Sequence, residues 1–257
     1  MDNHKVIKLS KQGLIAVVTM EEREYGNTFT PRFIKGMMEA FAALTRDTAI
    51  KVVLVHGCDN YFCCGGTKEE LITLHKGAGK EEDQQQVKFT DTGFHDLFLR
   101  CELPVIAALQ GHALGAGLAL GCTADIMVMG EQCIYSANFM KYGFTPGFGA
   151  TYIVPKKLGE ALGNEMLFTA RSYYGRELKE RGAPVKIVSR KEVMETAFHI
   201  AGDLADKPLV SLKVLKKHLA QQVQPGLSAA IEKELAMHRI TFPQPEVRDR
   251  IEGLFGN

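Results

Sequence analysis

The chain has 257 residues, of which 46% are apolar and 24% are charged, which is enough for one large hydrophobic core. Its 31 basic and 30 acidic residues give a formal net charge of +1, which favours neither a nucleic-acid-binding nor a membrane-surface protein. No apolar run approaches the roughly 18 residues of a membrane span, and no apolar signal segment is visible at the N-terminus. We therefore expect a cytoplasmic protein.

The N-terminal part predicts a hairpin followed by a helix. Apolar, β-branched runs at 6–9 and 14–20 flank a turn at 11–13. Helical spacing of apolar residues then extends from Pro31 to Arg46, with Thr30 as the N-cap.

Strands and helices alternate through the middle of the chain. Strands are predicted at 52–56, 104–109, 125–129 and 134–137, and helices after 67, at 87–101 and after 115. The polar stretch 77–86 is expected to be mobile. This alternation predicts βαβ units and a mostly parallel sheet.

The chain from Arg190 onward is predicted to be helical, with breaks at Pro208, Pro225 and Pro243. We expect a core at 1–189 and a C-terminal helical region at 190–257. The six cysteines include no CxxC pair and no Cys/His cluster, so reduced thiols and no metal site are predicted.

Two glycine-rich turns, at 64–67 and 115–117, each follow a predicted strand and enter a helix. Glycines allow backbone N–H groups to face a ligand, and a helix N-terminus adds partial positive charge. Two such amides meeting at one point would form an oxyanion hole, whereas each turn alone is typical of ordinary tight turns. Leu120 excludes a dinucleotide fingerprint, and the chain has no GxSxG or GxxxxGK[ST] motif.

Three stretches in this order, YFCCGGT, PVIAALQGHALGAGLALGCTADI and KYGFTPGFGATYIVPKKLG, resemble the crotonase (enoyl-CoA hydratase/isomerase) superfamily over nearly the full length. The resemblance implies an α/β crotonase fold, a spiral of ββα units with a C-terminal helical part that assembles trimers. It also implies that the amides of Gly66 and Ala116 hold the acyl oxygen. The predicted substrate contacts are Gly65, Gly117, Phe139 and Tyr142.

Both glutamates that hydratases of this family place over the substrate are missing. Ala119 stands at the first position and Phe139 at the second. Adding water to a double bond needs a general base and a general acid, which neither side chain supplies. We therefore expect a pocket without acidic side chains, in which the oxyanion hole can still stabilise an enolate. Decarboxylation is a reaction that needs an enolate hole but no water-activating carboxylate.

Within the superfamily, DNYFCCGGT, VKFTD and ELAMHRITF resemble the decarboxylases of polyketide β-branching cassettes. This resemblance implies that Lys88 and His238 replace the two glutamates. The implied reaction converts 3-methylglutaconyl to 3-methylcrotonyl on an acyl carrier protein partner, without a cofactor. Lys88 is expected to pair with the substrate carboxylate, and His238 to place the substrate or donate a proton.

Other interpretations remain open at this point. His238 shares a helical stripe with Ile231, Leu235 and Phe242, as a hydrogen-bonded core histidine would, and a lone lysine at a helix start is usually solvated. The chain could carry another crotonase activity on an acyl-CoA, or serve as a non-catalytic scaffold. The residues alone favour neither α nor γ protonation of the product, and neither coenzyme A nor a carrier protein.

Overall fold

The structure, a computed structural model, describes residues 6–44, 46–77 and 93–255. Lys88, most of the stretch 77–86 and the start of the helix predicted from Val87 lie outside these residues. Ten strands are described: β1 (Ile7–Gln12), β2 (Ile15–Met20), β3 (Val52–His56), β4 (Tyr61–Cys63), β5 (Val105–Leu109), β6 (His112–Leu114), β7 (Ile126–Gly130), β8 (Ile134–Ser136), β9 (Tyr173–Tyr174) and β10 (Lys186–Val188).

Ten α-helices lie in the same ranges. They are α1 (Pro31–Leu44), α2 (Lys68–Gly77), α3 (Leu97–Arg100), α4 (Ala116–Cys122), α5 (Ala150–Leu158), α6 (Glu160–Thr169), α7 (Gly175–Glu180), α8 (Val193–Ala205), α9 (Leu209–Thr241) and α10 (Pro245–Leu254). None of the helices described is long and apolar enough to cross a membrane.

The strands form two sheets, with orders β1-β2-β3-β5-β7-β10 and β4-β6-β8-β9. Apart from the antiparallel pairs β1–β2 and β8–β9, neighbouring strands are parallel. Each pass of the chain adds one strand to each sheet and then a helix, in the series β3-β4-α2, β5-β6-α4 and β7-β8-α5. This confirms the predicted spiral of ββα units. All five residues of β5 are buried, as expected of a parallel strand covered on both faces.

Strands β4 and β6 were missed by the sequence analysis, which predicted no strand directly before either glycine turn. Each has only three residues, too few to show an alternating pattern. The glycines before them permit close approach: a methyl carbon on Gly57 would lie 2.0 Å from the Tyr61 carbonyl oxygen, and one on Gly111 would lie 2.5 Å from the Tyr61 carbonyl carbon.

The predicted helix break at Pro225 is wrong, because Pro225 lies inside the 33-residue helix α9. A proline in a helix removes one hydrogen bond, to the carbonyl four residues earlier. Here both Pro225 and Gln221 are exposed, so water can reach the freed carbonyl of Gln221. The loss is thereby small enough for α9 to remain continuous.

The C-terminal helices pack into the body of the protein. Val193, Ala197 and Ala201 of α8 join the core on one face of the six-stranded sheet, against residues such as Leu54 and Ile106. Helix α9 contributes the buried Lys216, whose ammonium contacts the Asp125 carboxylate at 2.7 and 2.9 Å. Asp125 also accepts a hydrogen bond from the Val105 amide, so this carboxylate joins α9 to the sheet. The boundary between core and C-terminal region at residue 189 stays a prediction.

Candidate active site

A cavity of about 920 Å³ lies between the two glycine turns, the segment 138–148 and helix α9. Its volume falls in the usual range of small-molecule sites. Gly66, Ala116, Phe139, Tyr142 and His238 line it. Five of the site residues predicted from the sequence therefore share one cavity.

The two glycine turns touch each other. Gly65 has a positive φ of 78°, and a methyl carbon on it would lie 3.0 Å from the Ala116 nitrogen. A methyl carbon on Gly117 would lie 2.1 Å from the Cys63 carbonyl oxygen. Neither Gly65 nor Gly117 is among the residues that line the cavity, and their role as substrate contacts stays a prediction. They allow the turns to approach closely.

The amide of Gly66 lies two residues before α2, and the amide of Ala116 lies at the start of α4. Ala116 is the first residue of α4, so its N–H has no acceptor within the helix. No carbonyl among the described residues accepts a hydrogen bond from either amide. Two backbone donors at the cavity wall are therefore available to a ligand oxygen.

The two positions that carry glutamates in hydratases hold no acid here. Ala119 is fully buried in α4 and does not line the cavity. Phe139 lies on the wall, near Phe144. Neither side chain can activate water.

His238 lies on α9 with its ring against Gly147, where a methyl carbon would be 2.6 Å from Cε1. Its Nε2 lies 2.9 Å from the Thr145 carbonyl oxygen, which only accepts, so Nε2 carries the proton. Burial lowers the pKa of His238, although nearby backbone carbonyls act in the opposite direction. The ring is therefore neutral at pH 7, with Nδ1 unprotonated.

The predicted helical stripe faces the cavity. Ile231, Leu235, His238 and Phe242 all line it. The wall around them is aromatic: the rings of Phe144 and Phe242 stack at 4.5 Å between centroids, and His238 meets Phe242 edge-on at 5.0 Å. His238 thus occupies an apolar environment rather than a solvated one.

Glu234, one turn before His238, fixes the backbone opposite it. Its carboxylate accepts hydrogen bonds from the Gly149 amide at 2.6 Å and from the Thr151 amide and hydroxyl at 2.8 and 2.6 Å. Phe148, the residue directly before Gly149, has a φ of 64°, which is strained for a bulky residue. The hydrogen bonds to Glu234 hold this strained turn against the cavity.

The expectation of a pocket without acidic side chains is wrong. Glu70 and Glu234 both line the cavity. Glu234 is fully hydrogen-bonded, whereas Oε2 of Glu70 is buried and has no hydrogen-bond partner among the described residues. Burial raises the pKa of Glu70 to about 7, and a backbone hydrogen bond at Thr67 acts in the opposite direction.

The sequence contained weak signals for both glutamates. Thr67-Lys68-Glu69-Glu70 has the spacing of a helix capping box, and Glu234 falls on the buried stripe three residues after Ile231. Neither signal indicates a cavity, because the cavity arises only when distant segments meet.

Comparison with known proteins agrees with this geometry. The sequence profile of the enoyl-CoA hydratase/isomerase family matches residues 10–256. The bacillaene synthase decarboxylase PksI of Bacillus subtilis (strain 168) is 44% identical over 255 residues, which cover 99% of each chain. A solved structure from a dehydratase/decarboxylase enzyme couple involved in polyketide β-branching superposes with a TM-score of 0.92 at 43% identity, over 98% of this chain and 100% of that one.

A second solved structure, the ECH2 decarboxylase domain of CurF from Lyngbya majuscula, has a TM-score of 0.89 at 38% identity, over 96% of this chain and 98% of that one. The chain therefore belongs to the enoyl-CoA hydratase/isomerase family and has its crotonase fold. Within that family it is a decarboxylase of polyketide biosynthesis, as the sequence analysis predicted.

Proposed function

We propose that this decarboxylase removes CO₂ from a 3-methylglutaconyl group held as a thioester on an acyl carrier protein, giving the 3-methylcrotonyl thioester. The observation that carries the proposal is the pair of available amides at Gly66 and Ala116 in a cavity that has Ala119 and Phe139 in place of the hydratase glutamates. Such a cavity suits a reaction that builds negative charge on the acyl oxygen without activating water.

The chemistry follows from where the charge moves. The bond between the γ carbon and its carboxylate breaks, CO₂ leaves, and the electron pair spreads through the conjugated system to the thioester oxygen. The amides of Gly66 and Ala116 bind this oxygen more strongly as its charge grows, which lowers the barrier. A proton on the γ carbon then completes the product.

Lys88 and His238 are proposed to position the substrate. The ammonium of Lys88 would pair with the departing carboxylate and align the breaking bond with the conjugated system. His238 is neutral and its N–H is bonded to Thr145, so its role is to hold the acyl group rather than to supply the proton.

Substituting Lys88 or His238 with alanine is expected to lower the rate of CO₂ release by about 10²-fold each, since small misplacements of reacting groups cost that much. The rate is measured by mass spectrometry, as the loss of CO₂ from 3-methylglutaconyl-carrier protein over time, and NMR identifies the product. His199→Ala is the matched control, because His199 is 81% exposed on α8. Full activity in both variants would refute the roles of Lys88 and His238, and rapid hydration of a crotonyl thioester by the wild type would contradict the proposed reaction.

We also propose that the protein is cytoplasmic and forms a homotrimer. The assembly is supported by exposed apolar side chains on the first half of α9: Val210, Val214, Leu215 and Leu219. Large apolar side chains that cluster on a surface are typical of contacts between protein chains. We propose that a second copy of this chain covers them.

Val214→Glu is expected to shift the protein toward monomers, because a carboxylate would be buried without a partner in the interface. Light scattering at several protein concentrations measures the shift. Leu9→Glu, on the outer strand β1, introduces the same charge at an exposed apolar site away from α9 and should leave assembly unchanged. A wild-type protein that is already monomeric would contradict the proposed assembly.

A further inference from the structure

Glu70 is a buried acid that the mechanism above does not use. It is the third residue of α2, four residues after Gly66, and its Oε2 would lie 3.5 Å from a methyl carbon on Gly66. The same cavity is lined by Gly66, Glu70 and His238. The carboxyl of Glu70 therefore stands beside one of the two proposed oxyanion donors.

Helix capping explains the position of the Glu70 side chain but not the burial of its second carboxyl oxygen. The Glu70 amide donates to the Thr67 hydroxyl oxygen at 3.1 Å, and a backbone hydrogen bond at Thr67 acts on the Glu70 carboxyl, as in a capping box. A capping glutamate at an exposed helix end keeps its second oxygen in water. Here Oε2 is buried, without a hydrogen-bond partner in the part of the chain that the structure describes.

The surroundings of Glu70 favour its neutral form. Burial raises its pKa to about 7, with no charged group among the causes. The charged side chains of α10, which packs against α2, are exposed. The titratable and charged side chains that line the cavity from outside α2 are those of Arg23, Glu24, Tyr25, Tyr61, Cys64, His95, His112, Lys141, Tyr142, Glu234 and His238. At neutral pH a large fraction of Glu70 is thus a carboxylic acid with a transferable proton.

Three other titratable groups on the cavity wall, His238, Glu234 and Tyr142, are less suited as proton donors. The only proton of His238 is on Nε2, which donates to Thr145, and burial lowers the pKa of the ring. Glu234 accepts three hydrogen bonds from Gly149 and Thr151. Burial raises the pKa of Tyr142 above its usual value of 10, which is far from neutral pH. The best general acid has a pKa near the working pH.

We propose that Glu70 is the general acid that protonates the dienolate after CO₂ has left. The Glu70 O–H bond breaks, a C–H bond forms at the γ carbon, and the electron pair returns from the thioester oxygen to restore the carbonyl. The resulting Glu70 carboxylate recovers its proton from water, so one proton is taken up for each CO₂ released. This inference rests on the proposed decarboxylation.

The test uses Glu70→Gln in the full chain with 3-methylglutaconyl-carrier protein as substrate. Glutamine keeps the shape and the capping position but cannot give up a proton. We expect kcat for CO₂ release to fall by about 10²-fold. We also expect the wild-type rate to fall as the pH rises through about 7, where Glu70 loses its proton, and the variant to lack this fall.

Glu195→Gln is the matched control, because Glu195 is also the third residue of a helix, α8, but is exposed. It should retain the wild-type rate and pH profile. Stability gives a second readout. Because the pKa of Glu70 in the folded protein lies above its ordinary value of 4.5, the wild type loses stability as the pH rises from about 4.5 through 7. Glutamine does not titrate, so the stability of Glu70→Gln minus that of the wild type should be larger at pH 8 than at pH 5.

The outcomes separate the two proposals. A wild type that releases CO₂ and a Glu70→Gln variant with the same rate and pH profile would overturn the role of Glu70 alone. A wild type that releases no CO₂ from this substrate would overturn the proposed function and the general acid with it.

Discussion

Gly117→Ala is expected to destabilise the folded protein by about 3 kcal/mol and to abolish CO₂ release. A methyl carbon on Gly117 would lie 2.1 Å from the Cys63 carbonyl oxygen and 2.5 Å from the Cys63 carbonyl carbon. Both are backbone atoms of β4, so no side-chain rotation can relieve the overlap. The two turns must separate, and the amides of Gly66 and Ala116 must separate with them.

Urea unfolding followed by circular dichroism, together with the CO₂ assay, measures this effect. Gly121→Ala is a matched control on the same helix, because its methyl carbon would meet a flexible atom, Cδ2 of Leu109, at 3.3 Å. A Gly117→Ala enzyme with wild-type stability and rate would show that the contact between the turns is not required.

The fold could be predicted from the sequence because its signals are local. Apolar strands such as 52–56, glycine turns and the stripe through Ile231 and His238 are each visible within a short window. Their order and spacing carried the resemblance to the crotonase family. The failed break at Pro225 shows the limit of such signals, since tertiary packing along α9 outweighs the loss of one solvent-exposed hydrogen bond.

The acidic part of the site could not be predicted in the same way. Glu70 and Glu234 lie on two helices that are far apart in sequence and meet only at the cavity. Whether a glutamate caps a helix in water or holds a proton in a cavity depends on its surroundings. The absence of the hydratase glutamates was visible in the sequence, but the presence of other acids in the pocket required the structure.

Loss of the Ala116 amide is expected to lower kcat by about 10²–10³, the usual cost of removing one oxyanion donor. A proline at 116 would remove the N–H and suit the first helical position, but its ring would intrude where the acyl oxygen binds. A better change removes the N–H and keeps the side chain. Incorporating L-lactate in place of Ala116 during translation achieves this, because an ester oxygen replaces the amide N–H while the methyl group stays.

Ala116→Gly is the control for the side chain, since it keeps the amide and should retain activity within a small factor. Thermal unfolding of the ester variant checks that α4 is intact, as the removed N–H makes no hydrogen bond within the helix.

The central claim is that the amides of Gly66 and Ala116 stabilise the negative charge that develops on the thioester oxygen as CO₂ leaves. The most direct measurement is the single-turnover rate of CO₂ release from 3-methylglutaconyl-carrier protein by the L-lactate variant at position 116, beside the wild type. We predict a drop of about 10²–10³ in rate. Equal rates in the two proteins would contradict the oxyanion hole.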